Sequence, residues 1–329
     1  DNYGRSAWTF AADNKHLEMI EYLSKKETDN QKNLFYAVSH GLIEVVEILQ
    51  RLNLNTEVQD SQGWTPLMWA ANNNLTKIVE LLLKGGAKIN GSNGINYTAS
   101  GWTPLMLASG GGHLQTVKAL ITNGANLETF DKDRWTALTW ASLRGYSDVV
   151  NFLVDNGARI DALTSDEATP LIWASSQGHN NVVNVLLTKG ANLKLKDIHG
   201  KTALAHAVLQ GHFSTAKILI NHGADLNQNL LYASRRGYNK MVNFLLDENA
   251  NINYFSTKNE TALELAFQGK HMETAKILLE RGANTSLKNS QGQTSLMSAV
   301  LTGKVELVKL LLDHPVNIVK VPEINSTDF

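Results

Sequence analysis

Apolar positions along this chain fall into short helical stripes, separated by polar breaks that contain glycine. One stripe, Ile78-Val79 followed by Leu81-Leu82-Leu83, has the spacing of a single helix face. Gly85-Gly86 then ends it, because glycine permits a left-handed backbone. Upstream, Thr65-Pro66 opens another helix. Threonine caps the free N–H groups, and proline fits the first turn, where its missing N–H costs nothing. The phrase around that start recurs. GWTPLMWA runs from Gly63 to Ala70 and GWTPLMLA from Gly101 to Ala108, with looser copies RWTALTWA (Arg134 to Ala141) and EATPLIWA (Glu167 to Ala174).

The alanine that closes the phrase serves as a ruler. It falls at Ala11, Ala37, Ala70, Ala108, Ala141, Ala174, Ala207, Ala233, Ala266 and Ala299. The gaps are 26, 33, 38, 33, 33, 33, 26, 33 and 33, so one unit is repeated. Gly-Ala pairs such as Gly86-Ala87, Gly124-Ala125 and Gly157-Ala158 close most units in the same register. The pattern D-x-x-G-x-T-[PA]-L before the ruler, then G-H and V-V-x-x-L-L after it, resembles the ankyrin repeat over residues 1 to about 318. The resemblance implies an all-α solenoid of about ten helix-turn-helix units with β-hairpin fingers. It implies one domain over 1–318 and a C-terminal tail over 319–329. Asp60-Ser61-Gln62-Gly63 then reads as the turn at a finger tip. One unit cannot bury its own apolar faces, so neighbours stack.

Three departures stand out. Both 26-residue gaps lack a finger tip, which predicts blunted fingers near 24–32 and 227–229. The 38-residue gap holds five extra residues around Gly91-Ser92-Asn93-Gly94-Ile95-Asn96-Tyr97, which predicts a finger insertion near 91–98. Asp1 sits at the first position of a repeat, and Val316 to Phe329 leaves the pattern, as a cap or a fraying end.

Composition narrows the function. A formal charge of −1 argues against holding nucleic acid through bulk charge. With no cysteine there is neither a disulfide framework nor a thiolate metal site. No apolar run reaches the roughly 18 residues of a membrane span. Gly110-Gly111-Gly112 lacks the preceding strand and following lysine of a phosphate loop. His113, His179, His212 and His271 share one repeat position. Repeats stack about 8–10 Å apart, whereas zinc holds its ligands near 2 Å, so these read as hydrogen bonds to the loop joining the helices. Carboxylates such as Glu44, Glu47 and Glu80 are dispersed over outward helix positions, as solvated surface. No catalytic constellation, metal site or cofactor is expected. Thr327-Asp328-Phe329 resembles a ligand for a PDZ domain.

The resemblance implies protein binding on a concave face made by the fingers and first helices. Just before each helix start that face carries Trp64, Trp102, Trp135, Ala168, Lys201, Glu260 and Gln293. Two and three residues after the ruler it carries pairs such as Leu143-Arg144 and Arg235-Arg236. A second aromatic column, Trp69, Trp140 and Trp173, precedes the ruler and reads as packing between first helices. A tryptophan presents roughly 150–250 Å², too much apolar surface to leave wholly wet on a thin finger. The finger tryptophans are therefore read as ligand contacts. Trp135, Trp140 and Trp173 resemble the cage of the ankyrin domains in histone lysine methyltransferases that read methylated lysine. The acidic residue of that cage corresponds to Leu143 here, followed by Arg144, which removes favourable charge. The broader expectation is a peptide with Arg, Lys or large apolar anchors across Trp64, Trp69, Trp102, Trp135, Trp140 and Trp173. Basic Lys201, Arg235 and Arg236 would steer an acidic segment.

These readings predict a non-enzymatic, monomeric scaffold for another protein or an extended peptide, with no nucleic-acid partner. Cytoplasm is the expected location, with the nucleus as an alternative. Two other classes remain: the targeting segment of a larger enzyme or channel, and a secreted bacterial effector acting in host cytoplasm.

Overall fold

The computed structural model describes residues 6–26, 30–52, 55–91 and 101–313. The predicted insertion over 92–98, Asp1, and the tail 319–329 with Thr327-Asp328-Phe329 lie outside them. The described residues form twenty α-helices arranged in pairs. The chain divides into two compact units, residues 1–200 and 201–329. An array whose members touch only their neighbours has no global core to prevent such a division.

In the first unit the leading helices of successive pairs are Ala7–Asp13, Asn30–Ser39, Pro66–Asn72, Pro104–Gly110, Ala137–Arg144 and Pro170–Ser176. They alternate with Leu17–Lys26, Ile43–Gln50, Thr76–Lys84, Leu114–Thr122, Ser147–Asp155 and Asn180–Thr188. Leading helices pack on leading helices and trailing on trailing. The second unit has leading helices Ala203–Leu209, Leu226–Arg236, Ala262–Gln268 and Ser295–Leu301, paired with Phe213–Asn221, Asn239–Asp247, Met272–Glu280 and Val305–Asp313.

The threonine of each phrase starts its helix as the pattern requires. The side chains of Thr65, Thr103, Thr136, Thr169, Thr202 and Thr261 each accept the backbone N–H three residues on. Pro66, Pro104 and Pro170 occupy the first turn. The ruler alanines Ala70, Ala108, Ala141 and Ala174 are wholly buried, as are Ala207, Ala233, Ala266 and Ala299. Any longer side chain there would separate the stacked helices.

The fingers are hydrogen-bonded turns and form no ladders among the described residues, apart from one isolated bridge between Lys288 and Thr294. At the first of them, Asp60 N–H donates to the Trp64 carbonyl at 3.0 Å and Gly63 N–H to the Asp60 carbonyl at 3.0 Å. Residues 227–229 adopt no loop: they lie inside the helix Leu226–Arg236, capped by Asp225. That helix has 11 residues where most leading helices have seven, so a helical turn takes the finger's place. Residues 24–26 close the helix Leu17–Lys26, 30–32 open the next, and 27–29 lie outside the described residues.

The histidine column bonds across repeats. Nε2 of His113 donates to the Asn72 carbonyl at 2.9 Å, His179 to Leu143 at 2.9 Å and His271 to Arg235 at 3.1 Å. A carbonyl only accepts, which places the proton of each ring on Nε2. Gly145 makes room for one of these rings. Its φ is +84° and a Cβ there would stand 2.7 Å from His179. No group of three or more metal-ligating side chains converges among the described residues.

A candidate binding surface built from tryptophan

Six tryptophans lie on the leading-helix and finger side of the first unit. The seventh, Trp8, is buried and donates to Ser24 Oγ at 2.8 Å. Trp64 and Trp69 form one pair, ring centres 5.7 Å apart and planes at 60°. The other four form a continuous row. Trp102 meets Trp140 edge-on at 5.1 Å, Trp140 meets Trp135 at 4.8 Å and Trp135 meets Trp173 at 4.6 Å. All are half-buried. Finger tryptophans and helix tryptophans therefore cover one another, and the two columns of the sequence merge into one surface.

This packing departs from a cation cage. Trp135 lies against Trp140 and Trp173 with planes tilted by 41° and 40°. At those separations the rings pack on one another, and among the described residues no cavity is found between the three of them. The open space lies one repeat earlier. A cleft of about 130 Å³ is walled by Trp102 and Trp140, backed by Leu107, and floored by Gly110 and Gly111, with Arg144 at its edge. The neighbouring leading helices carry side chains at the matching positions (Asn72-Asn73, Leu143-Arg144, Ser176-Gln177), and the glycine pair leaves the surface open here.

Two aspartates orient the indoles; the sequence places Asp60 in a finger turn without this role and does not single out Asp131. Asp60 Oδ1 accepts the N–H groups of Gln62 and Trp64 at 2.8 and 2.9 Å, closing the finger turn. Its Oδ2 accepts the Trp69 indole N–H at 2.8 Å. Asp131 repeats this with Asp133 N–H at 3.0 Å, Trp135 N–H at 2.8 Å and the Trp140 indole at 3.2 Å. Burial pushes the Asp131 carboxyl up from its ordinary value, against the pull of the Trp135 N–H and the Trp140 indole. The signal was present as an aspartate nine residues before the tryptophan. In the third copy Thr164 stands there, its hydroxyl donates to the Ala168 carbonyl, and the buried indole nitrogen of Trp173 has no partner.

The remaining candidates separate. Leu143 is half-buried and gives its carbonyl to His179, while Arg144 is exposed. Lys201, Arg235 and Arg236 belong to the second unit. There Lys201 is half-buried. Arg235 pairs with Glu260 at 3.1 Å, and Arg236 lies over the Tyr232 ring at 5.9 Å. Part of the expected basic field is therefore answered internally.

No helix among the described residues is long and apolar enough to cross a membrane. The family model for ankyrin repeats (3 copies) matches residues 8–93, 91–164, 158–229 and 230–322. A transient-receptor-potential-like protein of Drosophila melanogaster is 32% identical over 105 residues, covering 27% of this chain and 9% of that protein. The human ankyrin repeat and SAM domain-containing protein 3 is 41% identical over 69 residues, covering 21% of this chain and 10% of that protein. The similarity thus spans about a tenth of each relative's length. With the repeat model matched along almost all of its length, the chain belongs to the ankyrin-repeat family.

Proposed function

We propose that this chain is a non-enzymatic scaffold that binds an extended segment of a partner protein on the tryptophan row of its first unit. Ankyrin repeats are protein-interaction modules. The observation that carries the finer reading is the continuity of Trp102, Trp140, Trp135 and Trp173 at ring separations of 4.6–5.1 Å. Rigid aromatic surface of this kind is where interface energy concentrates. Four half-covered indoles are already ordered, so a ligand meets little side-chain entropy cost.

Selection of random displayed peptides against the whole chain tests this, repeated with Trp102→Ala and Trp135→Ala. Peptides should be enriched on the native chain and lost on both variants, which circular dichroism should show to be folded at the temperature of selection. Enrichment indifferent to both substitutions would defeat the reading, as would no enrichment at all.

A second reading makes the repeats the partner-binding segment of a larger protein. The small share of each relative that the similarity covers favours it. The mass of the native protein in its own cells decides between the two.

A further inference from the structure

We infer that the Trp102–Trp140 cleft receives an apolar side chain whose neighbour in the partner peptide is an aspartate or glutamate, held by Arg144. The inference rests on the tryptophan row being a peptide-binding surface, and adds the chemistry of the peptide.

Size restricts the occupant first. At about 130 Å³ the cleft is well below the roughly 300–1,000 Å³ of small-molecule sites. It suits one side chain of an extended chain. Two indoles, Met106, Leu107 and two glycines make most of its lining apolar, with Asn72 and Arg144 as the polar members, so the inserted group is apolar and its neighbour polar.

Charge restricts it further. A cationic anchor would need a carboxylate near the ring faces. No carboxylate lines the cleft, whose one charged member is Arg144, and the Asp131 oxygens already accept two backbone N–H groups and the Trp140 indole. Arg144 follows Trp140 by four residues on the helix Ala137–Arg144, so both lie on one face. Its guanidinium is exposed at the cleft edge and forms no ion pair among the described residues. In contrast, Arg235 in the second unit is answered by Glu260. A planar cation beside an apolar slot matches a carboxylate adjoining an apolar anchor, and a carboxylate can take two of its N–H groups at once.

The displayed-peptide selection supplies the test, read by sequence and extended to Arg144→Gln and Arg144→Glu. Arg144 is exposed, so both variants should fold, and circular dichroism melting checks that they do. Peptides selected on the native chain should carry Asp or Glu within two positions of the apolar residue. Synthetic copies of them should bind Arg144→Gln about tenfold more weakly, the loss expected for one charge-assisted contact. Selection on Arg144→Glu should shift the flanking position to Lys or Arg. Peptides that depend on Trp102 but carry no acidic neighbour, or that bind all Arg144 variants equally, would overturn this inference and leave the scaffold reading standing. Failure of any peptide to depend on Trp102 would remove both.

Discussion

Asp131 and Trp140, nine residues apart, are joined by a hydrogen bond from the indole N–H to Oδ2 at 3.2 Å. The other carboxylate oxygen closes the finger turn through the N–H groups of Asp133 and Trp135. One buried side chain thus sets the finger that carries Trp135 and the helix tryptophan that stacks on it. Finger and helix cannot shift independently, which is how a short loop presents a rigid aromatic surface.

Asp131→Ala should therefore act on stability and on the site together. It leaves three donors without their acceptor, at a cost of about 1–3 kcal/mol for each that stays dry. Asp131→Asn separates the two effects. Its amide oxygen can still close the turn, but its amide nitrogen cannot accept from the indole. Thermal melting should fall strongly for Ala and less for Asn, while tryptophan emission changes in both. Unchanged emission in Asp131→Asn would show that the indole bond does not hold Trp140.

A second carboxyl in unfavourable surroundings predicts a pH dependence. Glu264 is buried, with Oε2 accepting the Thr261 N–H at 2.9 Å and Oε1 without a partner. Burial pushes its carboxyl up from the ordinary value, against the Thr261 N–H and hydroxyl, and nearby Glu260 adds to the rise. The folded state thus holds this proton more tightly than the unfolded state. The stabilisation is complete below the ordinary glutamate value and is lost as pH climbs through the raised one. Glu264→Gln keeps an acceptor for Thr261 and cannot ionise. Melting of both forms between about pH 4 and about pH 8 checks this, and native stability should fall relative to Gln as pH rises. A constant difference across that range would refute the assignment.

How much of this was legible beforehand follows from the physics of each feature. The helix starts were legible because threonine capping and first-turn proline are local chemistry, and Thr65-Pro66 needs no distant partner. The buried ruler alanines were legible from their period. The tryptophan surface was legible in membership but not in arrangement. Stacking of Trp135 on Trp173 depends on ring angles across two repeats, which spacing does not encode. The cleft is not legible because it arises from absence, Gly110-Gly111 where the neighbouring units carry side chains. The blunted finger expected near 227–229 takes the form of a helical turn, which spacing does not specify, with Asp225 as its cap. The histidine column reads in sequence as bonding to the loop that joins the helices. Its acceptors belong to the preceding repeat, a distinction that needs the stacking itself.

The position after the ruler alanine offers a gain in stability. Ser109, Ser142 and Ser175 in the first unit and Ser234 in the second hold it, all fully buried, and the hydroxyl of each lacks a partner. Ala12 and Ala71 occupy the same position and are equally buried, and Val38, Val208 and Phe267 hold it in other repeats, so the position makes no use of the oxygen. A buried hydroxyl without a hydrogen bond costs about 1–3 kcal/mol by mutational scales. Ser142→Ala and Ser175→Ala should each raise the melting temperature, and the pair together by more than either alone. Peptide binding should be unchanged, because neither serine reaches the tryptophan surface. The measurement is calorimetric melting of the singles and the double. A lower melting temperature in the singles would mean that each hydroxyl bonds within its helix, and that the serines stabilise the stack instead of straining it.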